Sequence, residues 1–353
     1  YDELGVLEAA GNPAFQRHKD KPLLTSVAAF GADAELLTPR PTDDLTEIKS
    51  AVRAVTNDPS GVENVFSAVT YVARKLRSYR LGRPRRNVLI VVFTDEAGDD
   101  TELIDSAIDV CTTLQMPVFV VGVPAPFGRR DAYVRYVDPD PNFDQRTQWV
   151  PVHQGPESLL PERLRLSFAG QRPDQGMLDS GFGPFGLVRL TYETGGVYFA
   201  VHPNRSVGRG VRPYQTSVMS AYVSRFFDPA VMRAYRPDYV SLAQYRQLAR
   251  ENRARAALLQ AAQLSWTSPM QNPRRVFANV DEAEFARELT RAQQSAAALE
   301  PIVGRIVATL REGEPDRHRL VRPRWQAGFD LALGRALPLQ VRTGGYNTML
   351  ATP

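Results

Sequence analysis

Asn87-Val-Leu-Ile-Val-Val-Phe-Thr-Asp95-Glu96-Ala-Gly-Asp-Asp100 carries the strongest structural signal in the chain. An unbroken aliphatic and β-branched run ends in four carboxylates within six residues. Such a run predicts a parallel strand over 88–94, central in its sheet and buried on both faces. In open α/β sheets, ligands sit in the crevice beyond the carboxyl ends of the strands. Asp95 therefore stands where a site should be, and its oxygens suit Mg²⁺ or Ca²⁺. Asp99 and Asp100 are expected to cap the helix that follows, Thr101 to Leu114.

Outward from this strand, helices and strands alternate. Upstream, Thr25–Phe30 and Ala34–Thr38 flank Gly31-Ala-Asp33, which is hairpin spacing and predicts an antiparallel pair. Helices are expected over 43–55, with acidic residues at its start, and from about 63 to 79. Downstream, Met116-Pro-Val-Phe-Val-Val-Gly122 reads as a second buried strand. The alternation breaks over 124–182, a segment rich in Pro, Gly, Arg and aromatics, in which 132–137 and 147–152 have the pattern of a hairpin. It resumes with a helix over 186–194, a Gly195-Gly196 C-cap and a strand over 197–201. The whole predicts a doubly wound, mostly parallel α/β sheet with one antiparallel edge strand and a long insertion. Beyond Pro213 the composition turns to Ala, Arg, Gln and Leu, with helices expected near 214–227, 241–264, 281–311 and 326–342. The domain reading is 1–206 for the α/β domain, with its insertion at 124–182, and 207–353 for a helical C-terminal region. A length of 353 residues fits two domains.

Composition narrows the function. Apolar residues make up 43% of the chain, ample for a core, and the net charge of +4 hides a skew: only four of the 43 basic residues are lysine. Near-balance with 39 acidic residues argues against a nucleic-acid surface. The one cysteine, Cys111, excludes an internal disulfide and reads as a buried small hydrophobe. No apolar stretch approaches the roughly 18 residues of a membrane span. The opening, Tyr1-Asp-Glu-Leu-Gly-Val-Leu-Glu-Ala-Ala10, lacks an initiator Met and reads as the middle of a helix, so the natural protein is expected to extend upstream.

Four segments in order resemble the von Willebrand factor type A domain family. They are the hairpin ending Ala29-Phe30-Gly31, the helix start at Gly61-Val-Glu-Asn64, the strand with Thr94-Asp95, and Leu190-Thr-Tyr-Glu-Thr-Gly-Gly-Val-Tyr-Phe199. The resemblance covers about residues 1–206 and implies a Rossmann-like fold that engages protein partners. It also implies a metal-ion-dependent adhesion site drawing ligands from three loops. The third-loop aspartate maps onto Asp95. The second-loop position falls at Glu63, where the family prefers Thr. The first strand with its Asp-x-Ser-x-Ser loop has no counterpart in this chain.

Other features of the sequence compete with this one. Arg74, Lys75, Arg77, Arg80, Arg83, Arg85 and Arg86 close a helix, where cations complement the dipole, and form its exit loop. Arg317, His318, Arg319, Arg322 and Arg324 are a second basic run. In the insertion, Phe127, Tyr133, Tyr136, Phe143 and Trp149 are candidate interface anchors, or else pack the insertion onto the protein itself. Phosphate loops, nucleophile elbows and His-Glu-x-x-His helices are missing from the sequence. Gly181-Phe-Gly-Pro-Phe-Gly186 imitates a dinucleotide loop but follows no strand. The resulting expectation is a non-catalytic interaction module that binds a protein partner through Mg²⁺ or Ca²⁺ held by Asp95 and Glu63, with Phe127, Tyr133, Tyr136 and Trp149 at the partner surface. The alternatives are a Mg²⁺-dependent hydrolase using Asp95, Glu63 and Asp99, or a structural assembly subunit.

Overall fold

Among the described residues, strands and helices alternate along the first part of the chain and helices follow. The computed structural model describes residues 23–56, 58–123, 125, 131–136, 148–153, 160, 162–164, 166, 182–200, 229–267, 274, 276–277 and 281–351. The chain divides into two compact units, Tyr1–Val123 with Gly186–Gln215, and Pro124–Phe185 with Thr216–Pro353.

In the first unit, β1 (Ala28–Phe30) and β2 (Ala34–Leu36) form the expected antiparallel hairpin, and helix α1 spans Leu45–Arg53. Asp44 caps α1 by accepting a hydrogen bond from Thr46 N at 2.8 Å. Helix α2 (Val65–Lys75) runs on into the short α3 (Arg77–Leu81), and β3 (Ile90–Thr94) follows. A 3₁₀ turn at Thr101–Leu103 leads into α4 (Ile104–Leu114), then β4 (Val118–Gly122). After the insertion, α5 (Phe185–Thr194) and β7 (Tyr198–Ala200) complete the unit. The three parallel strands lie in the order β3-β4-β7, with Ile90 opposite Val118 and Val120 opposite Tyr198. The α5–β7 turn has the expected cap. Gly195 takes φ +83°, and Gly196 N donates to Thr191 O at 2.8 Å. A Cβ on Gly196 would stand 1.8 Å from Val118 O, so only glycine lets this turn lie against β4.

One face of this sheet carries the core. Val65, Phe66, Val69 and Ala73 of α2, Ala107, Ile108 and Cys111 of α4, and Leu187 and Leu190 of α5 pack on Ile90, Val92, Val118 and Val120. The expectation that the 88–94 strand is central and buried on both faces is not met. β3 is at one end of the described strand order, and Leu89, Val91 and Phe93 are 57, 43 and 46% exposed. By register, Val91 shares its face with Phe119, and Val121 shares it with Phe199, itself exposed. The reason is that the clustered helices all press on the opposite side. Ile90 N donates to Pro117 O, so the even residues of β3 bond β4, while the backbone groups of Val91 and Phe93 point away from β4. The hairpin is likewise a separate two-stranded sheet among the described residues, although Phe30 packs against the same core.

The second unit is mostly helical. Its insertion contributes the antiparallel pair β5 (Asp131–Tyr136) and β6 (Gln148–His153), with Tyr133 opposite Pro151 and Arg135 opposite Trp149. Its helices are α6 (Pro229–Ala234), α7 (Leu242–Arg250), α8 (Arg253–Thr267), α9 (Glu282–Gly313) and α10 (Pro323–Ala351). The helix expected over 241–264 is in fact two, because Asn252 interrupts it and caps α8 by accepting from Arg255 N at 3.1 Å. α10 runs nine residues past its expected end, held by buried Thr343 and Leu350. The expected helix near 214–227 lies outside the described residues. Leu258, Ile306, Leu310, Trp325 and Phe329 fill the core. At the crossing of α8 and α9, a Cβ on Gly313 would meet Ala257 at 2.8 Å, so small residues set the close approach. Asp238, 2% exposed, accepts from Arg255 Nη1 and Trp325 Nε1 at 2.8 Å each and pairs with Arg322.

Candidate functional site

The carboxyl end of β3 and the amino end of α2 are sewn together by backbone and carboxylate. Asn64 is the α2 N-cap residue, but its side chain makes no cap and instead donates to Ala32 O at 2.8 Å. Its backbone N–H donates to Gly31 O, which ties the hairpin to the same corner. The first amides of α2 are thus left to another acceptor. Asp100 supplies it, accepting from Phe66 N at 3.1 Å and Ser67 N at 2.6 Å. Asp99 accepts from Glu63 N at 3.0 Å, while Asp99 N donates to Glu63 O at 2.8 Å. This corrects the expectation that Asp99 and Asp100 cap the following helix. Asp100 makes no side-chain cap there; it is 5% exposed and serves a helix that begins 35 residues earlier in the chain. Gly98, with φ +87°, lets the loop turn closely over Val65 and Phe66.

Asp95 and Glu63, the two candidate ligands, meet at this corner. Thr94 donates its hydroxyl to Glu63 Oε2 at 2.8 Å and accepts from Glu96 N at 3.1 Å. Asp95 is exposed and carries no ion pair among the described residues. Partial burial first, then the charges of Asp95 and Asp99, raise the Glu63 pKa, against the hydrogen bond from Thr94. Glu96 is pushed up to about 7 by partial burial and by the charges of Glu63, Asp99 and Asp95. Carboxylates that hold protons this firmly are short of positive charge. The donor oxygens are hard, and two carboxylates with a hydroxyl nearby suit a cation that keeps most of its water, as Mg²⁺ does. No group of three His, Cys, Asp or Glu among the described residues forms a ready metal cluster.

Glu96 and Thr94 are the members that sequence reasoning passed over, although both lie in the opening motif. Of the interface candidates, Tyr133 and Tyr136 fall on β5 and Trp149 on β6. Phe127 and Phe143 lie outside the described residues. The second basic run is occupied within the protein: Arg317 pairs with Asp330, Arg319 with Asp316, Arg322 with Asp238 and Arg324 with Glu162. In the first run, Arg80 donates to Leu114 O at the end of α4.

A layered α/β unit with an acidic strand end belongs to the Rossmann-like class of binding folds. Within this chain, residues 25–136 match the family described as von Willebrand factor type A domain. The closing helix and strand, Leu190 to Phe199, lie beyond the matched range. A solved structure of an aerotolerance-related membrane protein from Bacteroides fragilis, carrying multiple mutations to serine, is 16% identical. The alignment covers 55% of this chain and 76% of that one, with a TM-score of 0.29. No curated protein matches the chain. Among the described residues, no helix is long and apolar enough to cross a membrane.

Proposed function

We propose that the von Willebrand type unit is a non-catalytic protein-interaction module whose contact surface is the acidic corner at Asp95. A divalent cation, Mg²⁺ or Ca²⁺, held by Asp95 and Glu63 completes that surface, and Phe127, Tyr133, Tyr136 and Trp149 of the insertion are proposed as a second set of partner contacts. The single observation behind this reading is the gathering of Glu63, Glu96 and Asp99 around exposed Asp95, where partial burial and crowding raise the pKa of Glu63 and Glu96. A second positive charge at this corner would relieve the repulsion that a proton now relieves. In the same reading, the β1–β2 hairpin and the three-stranded sheet are parts of one doubly wound sheet with an antiparallel edge strand. The bond from Asn64 to Gly31 and the packing of Phe30 support that.

Isothermal titration of Mg²⁺ and Ca²⁺ into the full chain tests the cation. Binding to the wild type is expected, weakened about tenfold or more in Asp95→Ala and Glu63→Ala, since each removes a charged ligand. Equal binding by all three proteins removes these residues from the role. Mg²⁺-dependent hydrolysis of p-nitrophenyl phosphate is expected to be nil; turnover that Asp95→Ala abolishes would favour the hydrolase reading.

A further inference from the structure

The outward side of α10 is apolar. Leu331, Val341 and Met349 are 65, 74 and 56% exposed. Gly334, Pro338 and Gly345 are exposed between them, and a Cβ on either glycine would meet nothing within 4 Å. Steps of three and four residues put all six on one stripe, about 27 Å long, on the side of the helix away from buried Trp325, Phe329, Ala336 and Leu339. From Leu331 to Ala351 the only exposed charged side chain is Arg342, at the margin of the stripe. Helix α9, packed beside α10, follows the usual rule and turns Arg287, Arg291, Glu300 and Arg305 to solvent. A helix that is apolar on both faces is suited to being covered on both.

The order of side chains along the stripe selects its occupant. Inward from one end it runs Leu331, Gly334, Pro338, and inward from the other Met349, Gly345, Val341: large, small and medium each time. A two-fold axis requires a surface complementary to itself, in which residue i meets j and j meets i. We infer that α10 is covered by α10 of a second copy of this chain, antiparallel, about an axis between Pro338 and Val341. Leu331 then packs on the partner's Met349, Gly334 on the partner's Gly345, and Pro338 on the partner's Val341. Facing glycines let the two helix backbones come close, since the side chains at the contact set the interaxial distance. The area removed from water, on the order of 1,000 Å² over both copies, is at the lower edge for a specific interface, so the dimer forms reversibly with concentration.

Sedimentation velocity of the full chain, from micromolar to submillimolar concentration, tests this. The wild type is expected to pass from monomer to dimer, and Val341→Glu to weaken that association by about a hundredfold or more, because each dimer would bury two unpaired carboxylates. Val341 is mostly exposed in the single chain, so the thermal midpoint of the variant should stay where it is. Disulfide trapping reads the register, since Cys111 is buried and takes no part. Gly334→Cys and Gly345→Cys proteins, mixed under oxidant, should cross-link to each other and not to themselves, because like positions in this pairing stand about 16 Å apart, beyond the reach of a disulfide. A chain that stays monomeric overturns the inference, and so does a dimer that Val341→Glu leaves intact or cross-linking of like with like. A monomer that binds phosphatidylcholine vesicles, and loses them on Val341→Glu, would give the stripe to a lipid surface and overturn it as well.

Discussion

Asp100→Ala should strip α2 of its N-terminal cap from across the fold. The buried carboxylate accepts from two successive amides, Phe66 N and Ser67 N, and Asn64 offers no side-chain substitute. Each amide left unsatisfied in the interior costs about 1–3 kcal/mol, and the lost favourable contact with the helix dipole adds about 0.3–1 kcal/mol. Partial access of water at the corner brings the expected loss to about 2–4 kcal/mol. Asp100→Asn keeps one acceptor oxygen and should cost about half as much. Asp99→Ala, which removes one bond from an exposed side chain, should stay under about 1 kcal/mol. Segment-resolved native-state exchange is the assay, because the location of the effect separates two explanations. If Asp100 caps α2, protection falls over residues 65–75. If it were the cap of the helix that follows it in sequence, protection would fall over 101–114 with α2 unchanged, and the geometry described here would be refuted.

Three further outcomes follow from the structure. Glu63 and Glu96 both bind protons more tightly in the fold than in the unfolded chain, so the folded state carries more protons above their ordinary range near 4.5, up to about 7 in the case of Glu96. Stability of the first unit should therefore fall as pH rises through that window, and Asp99→Asn should lower the Glu96 midpoint in a carboxyl NMR titration; a Glu96 midpoint near 4.5 would contradict the site. Gly196→Ala puts a methyl group against Val118 O and should cost about 3 kcal/mol, the upper range for overpacking, read as a lowered thermal midpoint. Asp238→Ala leaves Arg255 and Arg322 without their shared carboxylate and should cost about 3–5 kcal/mol by thermal melting; a loss below about 1 kcal/mol would show that the network is not fixed in solution.

Much of the first unit was legible because its signals are local. Thr194-Gly195-Gly196 announces a helix end whatever surrounds it, and Val118–Gly122 has the length and residue types of a buried strand. The Ala-Asp turn after Gly31 predicted the hairpin for the same reason. Asp95 and Glu63 were placed at one corner by their resemblance to a known pattern, not by any spacing between them. The task of Asp100 was not legible, since its partners lie more than thirty residues upstream and its position after the strand equally suits a local cap. The exposed face of β3 was hidden too: Val91 and Phe93 are as apolar as Ile90 and Val92, and composition alone cannot say which face meets helices. Glu162 gave no signal of burial, because a charged residue in a Pro- and Arg-rich segment reads as solvated until Arg324 and Tyr245 are brought to it. Asn252, by contrast, was a readable helix start that an unbroken Ala-rich pattern concealed.

The exposed apolar face of β3 has a practical corollary for anyone handling this molecule. Val91, Phe93 and Phe199 offer a greasy plane on which stray polypeptide can settle, so concentrated preparations should be prone to clumping. Lysines introduced at Val91 and Phe93 would be gatekeepers against that fate, at no expense to the packed side of the sheet.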